Sequence, residues 1–257
     1  MRFLIRLSYD GASFCGWQIQ PGVPTIQEAL QHALSLLLKE EISVTGAGRT
    51  DSGVNAVGYA ASFDAPEATA SDTARIVCKL NAILPKGVKV HSLEAAPPEF
   101  NARFHATRRE YTYFIHRRKD PFADRFSCLY TFPLDIDAMN RAARTLLGTH
   151  DFSCFEKTGS DNKTSICTVT EAFWAPYTPT HVSLLGYPAD AGDYLYFRIS
   201  ADRFLRNMVR AVVGTLLEVG RGRRSEQSVA DLVARGTRSD AGESVPGHAL
   251  FLNRVDY

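Results

Sequence analysis

Apolar residues in this chain recur with two different periods in turn, and that alternation limits what it can fold into. Residues 2–8 alternate with the period of two of a strand, and Tyr9-Asp10-Gly11 follows with turn chemistry. Ile26, Ala29, Leu30, Ala33, Leu34 and Leu37 then recur at helical spacing, behind the capping signature of Thr25 and Glu28, so 26–39 is expected as an amphipathic helix. The same patterns predict a short strand near 42–46, a glycine-rich loop at 46–53, a strand at 56–63, a helix at 72–83 and a strand at 87–95. Pro97-Pro98 breaks the chain as a linker would. Beyond it, strands are expected at 111–115, 166–175 and 194–200. A helix marked by Ile136, Met139, Ala143, Leu146 and Leu147 should close on Gly148 as its C-cap. Helices at about 203–219 and 226–235 and a final strand from Ala249 to Val255 complete the pattern. Short strands and helices alternating in both halves, with some strands close enough for hairpins, predict an α+β protein with mixed or antiparallel sheets. The halves are set at 1–104 and 105–257.

The length, 257 residues, suits one large domain or two ordinary ones. With 45% hydrophobic and 22% charged residues the balance is globular, not disordered. No apolar run approaches the ~20 residues that span a bilayer. Residues 1–6 lack the apolar core of a signal peptide and are expected as the first strand. Five cysteines, widely spaced and without a C-x-x-C pair, argue against a disulfide framework or a structural zinc. They fit reduced thiols in a cytosol, each expected as a small buried apolar residue. A net charge of +1 gives no bulk attraction to nucleic acid, so any such attraction must be local.

Local basic clusters are present. On a helix at 203–219, turning about 100° per residue, Arg203, Arg206 and Arg210 fall on one narrow face, opposite Phe204, Met208, Ala211, Val212, Thr215, Leu216 and Val219. The one acid at i±4 is Asp202, four residues before Arg206 and adjacent to Arg203; Arg203 and Arg210 have none at that spacing. Such a row suits a phosphate backbone or an inward carboxylate, although a solvated face is the usual reading of charge on a helix. Arg103, His105, Arg108, Arg109 and Arg117-Arg118-Lys119 interleave with Phe104, Tyr111, Tyr113 and Phe114. Charge with aromatic rings is what extruded bases need, while the bland reading is a half-buried edge strand. Arg221, Arg223 and Arg224 follow Gly220 and read as a solvated loop.

In Gly46-Ala47-Gly48-Arg49-Thr50-Asp51-Ser52-Gly53, three glycines flank one arginine and one aspartate. No Gly-Lys-Ser/Thr follows, so it is not a Walker loop, and Asp51 stands where a Rossmann glycine belongs. Taken alone, a tight connection in which Asp51 caps nearby N–H groups is the better reading.

Four longer stretches change that balance. They are Tyr9-Asp10-Gly11 with Phe14, Gly16-Trp17-Gln18 and Thr25-Ile26-Gln27; Gly46 to Val54 with Ala56 and Phe63; Tyr111-x-Tyr113; and Phe204-Leu205 with Met208-Val209-Arg210 and Val213-Gly214-Thr215. In this order and spacing the chain resembles the bacterial tRNA pseudouridine synthase A family from end to end. The resemblance implies two similar ferredoxin-like halves joined around a central cleft. It also implies an isomerase that converts uridine to pseudouridine at positions 38, 39 and 40 of the tRNA anticodon arm, with no cofactor and no metal. Asp51 would be the nucleophile, Arg210 its ion partner, and Tyr111 the platform under the uracil. Tyr113 is expected on the opposite strand face from Tyr111. Arg49, Thr50, Tyr111 and Arg206 are the expected substrate contacts, and Arg108, Arg109, Arg203 and Arg206 the expected RNA contacts. The family is homodimeric, with tRNA spanning both subunits, and cytoplasmic. Asn55 and Tyr59 depart from the family's usual His and Gln, which should alter contacts near the base or the RNA backbone. The segment 246–250 is looser than the family's run.

Three rivals stand beside this reading. A non-catalytic RNA-binding module would share the basic clusters but has no need of the Gly-Arg-Thr-Asp loop. A base deaminase lacks its His-x-Glu and Pro-Cys-x-x-Cys signature here. A nucleotide-binding enzyme lacks the phosphate-loop lysine.

Overall fold

In chain order the elements are β1 (Arg2–Tyr9), α1 (Ile26–Leu38), β2 (Val44–Gly46), β3 (Asn55–Asp64), α2 (Thr73–Ile83), β4 (Val88–Ala95), β5 (Arg108–His116), β6 (Cys128–Leu129), α3 (Ile136–Arg144), β7 (Gly148–Asp151), β8 (Ile166–Pro176), α4 (Thr180–Ser183), β9 (Tyr194–Ala201), α5 (Met208–Gly220), α6 (Gln227–Arg235) and β10 (Leu250–Asp256). They come from a computed structural model that describes residues 1–159 and 163–257. The chain divides into two compact units, Met1–Arg108 with Phe251–Tyr257, and Arg109–Leu250.

In the first unit β1 pairs antiparallel with both β3 and β4, β2 lies antiparallel on β3, and β10 lies parallel to β3. The alternation along β1 has its expected cause: Phe3, Ile5 and Leu7 are fully buried while the residues between them are half-exposed. The register of β1 with β3 shifts between Leu7 and Tyr9, and Tyr9 stays buried in phase with Phe3, Ile5 and Leu7. Helix α1 starts where its cap predicts, with the Glu28 N–H donating to the Thr25 hydroxyl at 3.4 Å. Ile26, Leu30, Ala33 and Leu34 form its buried stripe.

The second unit is an antiparallel sheet in the order β5, β9, β8, β7, with β6 parallel to β5. Helix α5 is buried nearly all round and packs against α3, which in turn lies on β8. Both units mix helices with mixed or antiparallel sheet, the α+β class expected from the two periods.

Three expectations give way to local chemistry. The helix marked by Ile136 stops at Arg144, four residues short of Gly148. Thr145, Leu146 and Leu147 bond back to Ala142, Ala143 and Arg144, tight i→i−3 turns, and Gly148 at φ +102° opens β7 instead. The helix expected from 203 starts only at Met208, because Asn207 sits in the left-handed region at φ 67° and no α-helix passes through such a residue. Arg203, Arg206 and Arg210 therefore do not share a helix face; only Arg210 is helical. Of the cysteines, Cys154 and Cys167 are buried as expected, Cys15 and Cys128 are half-buried, and Cys78 is exposed.

Among the described residues no helix is long and apolar enough to cross a membrane, and no group of three His, Cys, Asp or Glu residues is placed to hold a metal ion.

Candidate active site

The Asp51 loop lies between β2 and β3, and the segment after β1 grips it from the side. Backbone N–H of Trp17 donates to the Thr50 carbonyl at 3.1 Å, and that of Gly53 to the Phe14 carbonyl at 3.4 Å. The hydroxyls of Tyr9 and Thr50 share a buried hydrogen bond of 2.8 Å. The Arg49 Nε donates to Gln18 Oε1 at 3.2 Å, and the Tyr59 hydroxyl to the Gly48 carbonyl at 2.5 Å. Asp51 itself opens a turn, its carbonyl accepting from the Val54 N–H at 3.1 Å, with Gly53 at φ +75° as the third residue. The result is a half-buried carboxylate on a held backbone, flanked by exposed Arg49 and Ser52.

Thr50, expected at the substrate, is buried and turned to Tyr9. The two departures from the family pattern also face inward. Asn55, 2% exposed, accepts the Gly11 N–H at 2.9 Å, and fully buried Tyr59 stacks on Trp17 with ring centroids 4.2 Å apart. Their side chains hold the loops of the first unit together and do not line a solvent-facing surface.

In the second unit Tyr111 meets Phe204 edge to face at 5.1 Å. The expectation that Tyr113 lies on the opposite face from Tyr111 is overturned: it stands two residues along a strand whose register with β9 is unbroken, and residues two apart share a face. Depth separates them. Tyr113 is fully buried while Tyr111 retains 8% exposure. Burial pushes the Tyr113 hydroxyl far above its ordinary range, the neighbouring Cys128 adds to this, and the charge of Arg210 pulls it back. On α5, Arg210 Nε donates to the Val245 carbonyl at 2.7 Å and its own carbonyl accepts the Val245 N–H at 3.2 Å, so the guanidinium is aimed by a two-point tether.

The other arginines divide by environment. Arg109, 9% exposed, donates to the Asp202 carbonyl at 2.6 Å and is committed to the fold. Arg203 donates to the Thr164 carbonyl at 3.1 Å. Arg206 is exposed, and its guanidinium makes no hydrogen bond or ion pair among the described residues. Arg108 is half-buried and belongs to the first unit. The structure thus gathers Arg49, Thr50 and Asp51 on one loop of the first unit, and Tyr111, Phe204, Tyr113 and Arg210 in the second. Tyr9, Gln18, Tyr59 and Phe204 were not expected in these roles. Only the aromatic character of three of them is visible in the sequence.

Residues 142–257 match the family model described as tRNA pseudouridine synthase. Proteins named tRNA pseudouridine synthase A match the whole chain: that of Parabacteroides distasonis is 43% identical over 100% of this chain and 96% of its own length. The Bacillus licheniformis protein of that name is 40% identical over 100% of this chain and 99% of its own, and the Chlorobaculum tepidum protein 39% over 98% and 96%. The chain belongs to the tRNA pseudouridine synthase A family.

Proposed function

We propose that this protein isomerises uridine to pseudouridine at positions 38, 39 and 40 in the anticodon arm of tRNA, with Asp51 as the nucleophile on the extruded base or its sugar. The observation that carries the reading is the Asp51 turn, whose backbone is held at Gly48, Thr50 and Gly53 so that one half-buried carboxylate is presented in a fixed place. Preorganisation of this kind is what a covalent step demands. The reaction breaks the N1–C1′ bond, turns the uracil and joins C5 to C1′; C5 gives up a proton and N1 gains one, so nothing is oxidised or reduced. A carboxylate suits the task because it attacks and departs again, as in glycosyl transfer.

The base must leave its stack before any side chain reaches it. Tyr111, propped by Phe204, serves as its platform, and Arg210 supplies a fixed positive charge to the reaction. Arg49, Thr50 and Arg206 are assigned to the substrate, and Arg108, Arg109, Arg203 and Arg206 to the RNA backbone. The loop bond of Thr50 and the buried position of Arg109 make their contributions chiefly ones of shape. The family resemblance further supports a homodimer acting in the cytoplasm.

Incubating the purified protein with unmodified tRNA transcripts tests the proposal: pseudouridine should appear in the anticodon arm without added metal. Transcripts that stay unmodified would overturn it.

A further inference from the structure

We infer that Tyr59 is a positioning residue for Asp51, acting through the Gly48 carbonyl. The inference rests on the reading of Asp51 as the nucleophile. Tyr59 lies on β3 opposite Leu7 of β1, and from there its hydroxyl donates to Gly48 at 2.5 Å, three residues before Asp51. The ring is held on two sides, by Trp17 at 4.2 Å nearly parallel and by Tyr9 at 5.4 Å. Both of these neighbours also grip the loop: Trp17 donates its backbone N–H to the Thr50 carbonyl, and Tyr9 bonds the Thr50 hydroxyl. The loop is therefore fixed just before its carboxylate by three aromatic residues that pack on one another.

Gly46 completes the arrangement. A Cβ there would lie 2.2 Å from the Tyr59 hydroxyl and 2.5 Å from the Trp17 ring, so the close approach of the β2 backbone to this stack requires the absence of a side chain. A phenyl ring at position 59 keeps the stack and removes only the donor, which makes Tyr59→Phe the informative change.

The test has two arms, run on the full chain. In hydrogen exchange, peptides spanning 46–54 of Tyr59→Phe should exchange about 5- to 10-fold faster than wild type, the loss of one hydrogen bond, while peptides of the second unit are unchanged. In pseudouridine formation, kcat per folded molecule should fall by a similar factor with KM for tRNA unchanged; scaling to the folded fraction removes the fall in apparent kcat that loss of folded protein alone would give. Unchanged loop exchange, or a rise in KM alone, would overturn the inference. A wild type that modifies no tRNA would sink the proposed function instead, and the exchange arm would still decide whether Tyr59 holds the loop. If Tyr59→Phe fails to fold, Gly46→Ala displaces the same hydroxyl and should give the same faster exchange confined to the loop.

Discussion

Gly16 faces the Thr50 carbonyl so closely that a Cβ on it would sit 2.4 Å from the oxygen, and its φ of +86° is one that side-chain-bearing residues rarely adopt. The loop that carries Asp51 is thus shaped by a residue 35 positions earlier that has no side chain at all. Gly16→Ala is expected to destabilise the protein by about 1–3 kcal/mol, the cost of the left-handed backbone, and to displace Thr50. Denaturant unfolding should show the loss, and turnover should fall further than the folded fraction does. Wild-type turnover in a folded Gly16→Ala would show that the loop tolerates the shift.

Arg206 carries an exposed guanidinium with its backbone carbonyl fixed by the Lys157 N–H at 3.0 Å. If it meets phosphate, Arg206→Glu should weaken tRNA binding more at low salt than at high, because fewer counterions are released. Filter binding at two salt concentrations checks this. Equal weakening at both would place Arg206 away from the RNA backbone.

Much of this was legible in the sequence, for physical reasons that particular residues show. The α1 stripe, the alternation of β1 and the glycine-rich loop announce themselves because each depends on near neighbours. The arginine row at 203–210 misled because periodicity alone cannot see one left-handed residue, Asn207, that delays the helix to Met208. Asn in that place is the signal that was available. Tyr59 and Asn55 look like surface departures from a family pattern, and only the tertiary fold turns them inward to Gly48 and Gly11. Long-range bonds of this kind, such as Tyr9 to Thr50 across 41 positions, leave no local trace.

The cysteines make a chemical prediction. Burial pushes the thiols of Cys154 and Cys167 up to about 12, so both stay protonated at pH 8 and are poor nucleophiles. Native protein treated with iodoacetamide at that pH should be alkylated at exposed Cys78 and not at Cys154 or Cys167, read by peptide mass. Early labelling of either buried thiol would show that the second unit opens readily.

Asp120 is buried, and burial alone would raise its pKa. The Tyr194 hydroxyl at 2.7 Å, the Phe122 N–H at 2.9 Å and His181 Nε2 at 2.7 Å outweigh that and hold it below the ordinary value of 3.8. The folded state therefore prefers the carboxylate. Its contribution to stability is complete above the unfolded value and is lost as pH falls through the folded one. Asp120→Asn should be clearly less stable than wild type at pH 7, with the gap closing below about pH 4. Urea midpoints at several pH values measure it, and a gap independent of pH would contradict the role of the charge.

The proposed isomerisation depends on the Asp51 carboxylate, and Asp51→Asn tests that dependence most directly because it keeps the size of the side chain and removes its charge. With tRNA binding and the melting temperature close to wild type, pseudouridine formation should fall by at least roughly 1000-fold. A folded Asp51→Asn that modifies tRNA at the wild-type rate would contradict the account.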